Sequence, residues 1–153
     1  TIYNGECVKI SSGYVVGGNG SAANILGVLN GIFFNAADTL KPTFSNFYKA
    51  TITPANSEDT TAFVMDDPFQ QYIVAADTAT GVTTFLETYD MNSSSGDDTT
   101  GKSDSTLAIG TTSANGKQFR MLRSAEDPDN EDATAVRHSV VVVSNLNSFN
   151  GHN

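Results

Sequence analysis

The sequence predicts a mainly β fold: a small barrel or sandwich of short strands, with long loops and little helix, spanning residues 1–153 as a single domain. Three observations predict it. Thr, Ser and Asn make up 47 of the 153 residues; Thr favours strands, while Ser and Asn favour turns. Thirteen glycines punctuate the chain, and the strong helix formers Glu, Lys, Leu and Arg are sparse. Runs of alternating or continuously β-branched residues recur between the turn clusters. A chain of this length buries roughly 70% of its unfolded surface, which is enough for a core without metals or disulfides.

The elements follow in order. Glu6-Cys7-Val8-Lys9-Ile10 alternates polar and apolar residues and reads as a first strand, with Ser12-Gly13 turning the chain into Tyr14-Val15-Val16 as a hairpin. Residues 17–21 are a glycine-rich loop. Residues 25–34 form a largely apolar run whose Gly27 and Gly31 favour a bent or bulged buried strand over a helix. Residues 35–48 read as irregular, and residues 49–53 as extended. Residues 61–65 and 71–76 are two further strands around the turn Asp66-Asp67-Pro68, whose proline has no donor for a ladder. Residues 82–91 fit either a strand or one helical face, and β-branching tips the reading to strand. Residues 92–104 lack an apolar residue and read as a surface loop. Residues 105–109, 118–123 and 138–143 complete the strands. The last contains Val140-Val141-Val142-Val143, apolar on both faces, as suits a strand covered from both sides.

Charge narrows the function. Seventeen acids against eight bases give a formal charge of −9 and a pI of about 4.3. A nucleic-acid partner is not expected, because neutralising phosphates requires a basic face. No apolar run approaches the ~18 residues of a membrane span, so no membrane partner is expected either. The opening residues Thr1-Ile2-Tyr3-Asn4 do not have the basic-then-apolar pattern of a signal peptide. Cys7, the single cysteine, excludes an internal disulfide framework and reads as a small buried residue rather than a nucleophile.

Gly96-Asp97-Asp98-Thr99-Thr100-Gly101-Lys102-Ser103 matches the G-x-x-x-x-G-K-[ST] phosphate loop. That loop requires a preceding strand and a following helix, so that backbone N–H groups converge on phosphate. Here serines precede it, β-favouring residues follow, and Asp97 and Asp98 would repel the ligand. The match is read as chance. Asp127-Pro128-Asp129-Asn130-Glu131-Asp132 departs from a calcium loop at Asp132 and His138, and reads as a turn capped by its own side chains, with an irregular calcium site as the alternative. His138 and His152, the only histidines, fit no triad pattern, and no G-x-S-x-G elbow exists. The expectation is a non-enzyme with no cofactor, no catalytic residues and no metal site. Phe44, Phe47 and Tyr48 read either as core anchors under a loop or as interface anchors.

Six segments carry a recognisable pattern. They are Ile25-Leu26-Gly27-Val28-Leu29, Lys41-Pro42-Thr43-Phe44-Ser45-Asn46-Phe47-Tyr48, and the run from Phe63 through Asp66-Asp67-Pro68 to Asp77. Thr99-Thr100-Gly101-Lys102-Ser103, Phe119 through Arg123 to Pro128-Asp129-Asn130-Glu131, and Val140 to Asn147 follow. Together, and in this order, they resemble a family of tailed-bacteriophage head proteins that decorate the capsid. The chain differs at Tyr48-Lys49-Ala50-Thr51, where the family has an aromatic followed by Pro-Ala-Gly, and at Asp127, where it has Arg. The resemblance implies a capsid decoration, or cement, protein without catalytic residues on the outer surface of the virion. It also implies a symmetric homo-oligomer bound to the major capsid protein; point-group closure favours a trimer, with a dimer as the alternative. The expected contact residues are Thr1, Ile2 and Tyr3 of the end segment and Pro42, Phe44, Phe47 and Tyr48 of the aromatic loop. The other reading is a virion or cell-surface module that binds a carbohydrate or receptor.

Overall fold

A computed structural model describes residues 1–20, 24–92, 95–111 and 116–149. His152, Ser21 of the glycine-rich loop and Ser93 and Ser94 of the polar loop lie outside the described residues. The described chain is mainly β and forms two antiparallel sheets. The first holds β1 (Cys7–Ser11), β2 (Tyr14–Gly17), β3 (Gly27–Asn35), β4 (Pro42–Ser45) and β5 (Thr61–Met65). The second holds β6 (Gln71–Ala75), β7 (Thr88–Tyr89), β8 (Phe119–Ser124) and β9 (Ser139–Ser144), in the order β6-β9-β8-β7.

The β1–β2 hairpin closes through Ser12 and Gly13, at φ 51° and 85°. Two consecutive left-handed residues give the turn whose twist matches that of the flanking strands. β3 organises the first sheet. One of its edges pairs first with β1 and then with β4, and the other runs along β5. A bulge between Leu29 and Gly31 bends it, and Gly31 takes φ 147° there. In the second sheet β9 is central, and Val140, Val141 and Val142 are all buried.

Alternation along β1 splits the core in two. Cys7 joins Ile25, Tyr89, Met91, Leu107, Phe119, Met121, Val140 and Val142 under the second sheet. Its neighbour Val8 points the other way and packs with Leu26, Leu29 and Ile32 inside the curl of the first. The fully buried Gln118 ties segments together: its Nε2 donates to the Gly18 carbonyl and its Oε1 accepts from the Met91 N–H. Asp90 pairs with Lys117 at 2.8 Å beside it.

Four expectations need correction. Residues 105–109 are not a strand: only Leu107 bridges, to both Ala76 and Met91, and a 3₁₀ turn follows at Ile109–Thr111. Residues 82–91 split into a 3₁₀ turn (Val82–Thr84) and the short β7, because Leu86 adopts φ 65° and breaks an extended run. Within 35–48, expected to be irregular, Pro42–Ser45 is a strand. Pro42 stands at its first position, where a missing donor is tolerated. Residues 49–53 are not extended: the Ile52 N–H donates back to the Lys49 carbonyl in a turn.

Candidate functional site

The outer face of the first sheet carries an exposed aromatic patch. On β3 Ile32 and Phe34 turn inward, so Phe33 between them turns outward; on β5 Ala62 and Val64 turn inward, leaving Phe63 and Met65 outside. Phe44 of β4 lies beside Phe33 in register. β4 and β5 flank opposite edges of β3, yet the Phe44 and Phe63 rings meet with centroids 5.5 Å apart. They meet over Gly31, where a Cβ would stand 3.0 Å from Phe44 Cζ. The missing side chain therefore opens the seat in which the rings touch. Phe44 remains 64% exposed and Phe63 44%, and Phe33 and Met65 are exposed as well. Exposed apolar side chains are thus grouped on one face of the sheet.

Beside it, the first residues form a strap. Ile2 and Tyr48 exchange backbone hydrogen bonds of 2.8 and 2.9 Å, and Tyr3 stacks on Phe47 at 6.0 Å with rings 5° from parallel. The segment matching a phosphate loop is what holds this strap. The Asn4 N–H donates to the Gly101 carbonyl, the Ser103 N–H donates to the Asn4 carbonyl, and Asn46 Nδ2 donates to the Thr100 carbonyl. No helix follows the loop; its Gly96 and Ser103 bridge to each other, and Gly101 is buried at φ 70°. A region expected to be a surface loop is thus anchored from 96 to 103. Tyr3 donates its hydroxyl proton to Asp98 at 2.9 Å, and Lys49 lies 3.2 Å from the same carboxylate and 5.8 Å from the Phe47 ring centre. These two donors hold the Asp98 carboxyl below its ordinary value of 3.8, the Tyr3 hydrogen bond contributing most.

The expected contact residues therefore fall into two adjoining groups. Ile2, Tyr3, Phe47 and Tyr48 build the strap, with Thr1 exposed at its end, while Phe44 and Pro42 lie on β4. Phe33, Phe63 and Met65 were missed, although alternation along residues 61–65 carried the signal for the last two.

Inside the curl of the first sheet is an open cleft of about 720 Å³. Its floor is aliphatic, from Leu29, Ile32, Val15, Ile52 and Ala62, and Ile2 and Tyr48 join the lining. Glu58, Asp59, Thr60 and Tyr14 supply its polar groups.

The remaining candidates have local partners. Cys7 is buried, and desolvation, aided by nearby Glu6 and Asp90, pushes its thiol pKa up to about 12. Asp127 accepts from the Asp129 N–H, and Asp132 accepts from the Thr134 N–H and hydroxyl, which lowers the Asp132 carboxyl. His138 is fully buried, with Nδ1 3.0 Å from the Asn130 carbonyl. Among the described residues no three His, Cys, Asp or Glu side chains are grouped to share a metal ion, and no helix is long and apolar enough to cross a membrane. Comparison with protein-family models, with curated proteins and with solved structures finds no match.

Proposed function

We propose that this chain is a capsid decoration protein of a tailed bacteriophage, which adheres to the outer surface of the major capsid protein lattice and braces the expanded, DNA-filled head. The observation that carries the reading is the exposed Phe33–Phe44–Phe63–Met65 face, set on a strand trio that a bulge and a glycine hold in shape. The segments that resemble the head-protein family support it. Residues 41–48 supply β4 and the loop under the strap, and residues 63–77 supply β5, the Asp66-Asp67-Pro68 turn and β6. Residues 99–103 supply the clamp on the strap.

Adhesion of this kind is multivalent. Each copy bridges neighbouring capsid subunits, and modest interfaces add across the lattice. A trimer on a local three-fold axis closes the symmetry with one repeated contact, which favours it over a dimer. The charge of −9 suits the outside of a shell packed with polyanion better than its inside. The other reading is a carbohydrate- or receptor-binding module, for which the polar groups of Tyr14, Glu58, Asp59 and Thr60 at the cleft would be the contacts.

The test is co-sedimentation of the purified chain with emptied, expanded heads and with unexpanded ones. Saturable binding to expanded heads supports the reading, and failure to sediment at saturating protein rejects it.

A further inference from the structure

We infer that the cleft of the first sheet is an acceptor for one extended polypeptide segment of a foreign protein, bearing aliphatic residues at alternate positions and at least one Lys or Arg. This does not rest on the capsid reading. The sheet order runs β2-β1-β3-β4, with β5 on the far edge of β3, so β2, β4 and β5 are edge strands. β2 and Ala62 of β5 nevertheless line the same cleft, over a floor of Leu29 and Ile32 from β3. The sheet therefore curls until β2 and the start of β5 lie on opposite sides of a gap.

One wall is the edge of β2. All four of its residues, Tyr14 to Gly17, line the cleft, and alternation lets only every second side chain of a strand face one side, so this unbroken run means that the strand edge borders the gap. The loop residues Glu58, Asp59 and Thr60 and the side chain of Ala62 close the other side. Among the described residues, β2 pairs only with β1 and β5 only with β3. Outer N–H and C=O groups of this kind are a template for an added strand. The half-buried Val15, Ile52 and Ala62 in the lining offer seats for its inward side chains.

Charge selects the occupant. The charged side chains lining the cleft are Glu58 and Asp59, both exposed, and neither makes an ion pair among the described residues. A second copy of this acidic chain is the poorer match, because it brings net negative charge to an acidic rim.

The experiment uses the full chain and an arrayed library of peptides of about eight residues, within the ordinary range of strand lengths, with Val or Ile fixed at alternate positions and every residue type at the others. Lys and Arg should be enriched, and Asp, Glu and Pro depleted. The best peptide should slow hydrogen exchange at the Val15 and Gly17 amides, which point away from β1, more than at Tyr14 and Val16, which bond to it. The double variant E58Q/D59N should lose the Lys and Arg preference, about fivefold in affinity for two exposed charges. No enrichment, equal binding by Pro-containing peptides, or protection confined to the Phe44 patch overturns the inference. Protection of β2 that rises with protein concentration alone assigns the cleft to a second copy and also overturns it. F44S should weaken head binding and leave peptide binding intact, so the two proposals fail separately.

Discussion

Replacing Gly101 with alanine tests how the strap is held. The residue sits at φ 70°, where a side chain costs about 1–2 kcal/mol in backbone strain. A Cβ there would also press inside van der Waals contact with the Phe47 ring and stand 2.7 Å from Asn46 Oδ1. Overpacking of this kind costs a further 1–3 kcal/mol or so, for a total of about 2–5 kcal/mol. For a domain of this size, about 2–4 °C of Tm per kcal/mol predicts a fall of roughly 4–20 °C. Gly13→Ala is the internal control: its φ is 85°, but nothing lies within 4 Å of its Cβ position, so it should show the backbone cost alone. The assay is scanning calorimetry of both variants, with hydrogen exchange at Asn4, whose N–H donates to the Gly101 carbonyl. Equal Tm losses in the two variants, with Asn4 protection unchanged in G101A, would refute the argument that this loop clamps the N-terminal segment against Phe47.

Three further outcomes are expected. Phe44→Ser removes a ring that is 64% exposed, so folding should lose under about 1.5 kcal/mol. At ~25 cal/mol per Å² over roughly 130 Å² of exposed ring, the same change should weaken head binding by up to about 3 kcal/mol, roughly a hundredfold, as read in a co-sedimentation titration. The lowered Asp98 carboxyl makes the strap contact pH-dependent: its stabilisation is complete above the ordinary value of 3.8 and is lost as pH falls through the lower folded value. Protection of the Tyr48 amide should therefore drop in acid and hold at neutral pH, and a flat protection factor across that window would contradict the contact. Cys7, with its pKa pushed to about 12, should react with a disulfide reagent only after denaturant is added, and prompt labelling of the folded chain would show the burial to be wrong.

The parts of the fold legible in the sequence were those whose signal is local. Alternation in residues 6–10, a Ser-Gly turn and a run of four valines led directly to β1, its hairpin and β9. The glycines of residues 25–34 pointed correctly to a bulged strand. What failed was decided by distant partners. Residues 105–109 have strand-like composition, but Leu107 divides its bonding between Ala76 and Met91, so no ladder extends. Pro42 looked like punctuation because its tolerance depends on lying at the start of a strand. The site behaved in the same way. Phe44 stood out in its motif, whereas its union with Phe63 exists only because β4 and β5 flank one strand and Gly31 leaves space between them. The role of the phosphate-loop segment as the clamp on Asn4 is a tertiary fact that spacing could not carry.

The most direct measurement of the central claim is a cryo-electron-microscopy reconstruction of expanded heads incubated with this chain. The account predicts ordered β density on the outer surface between capsid subunits, with the Phe33, Phe44 and Phe63 face turned toward the shell. Bare heads, or density with that face turned to solvent, would contradict it.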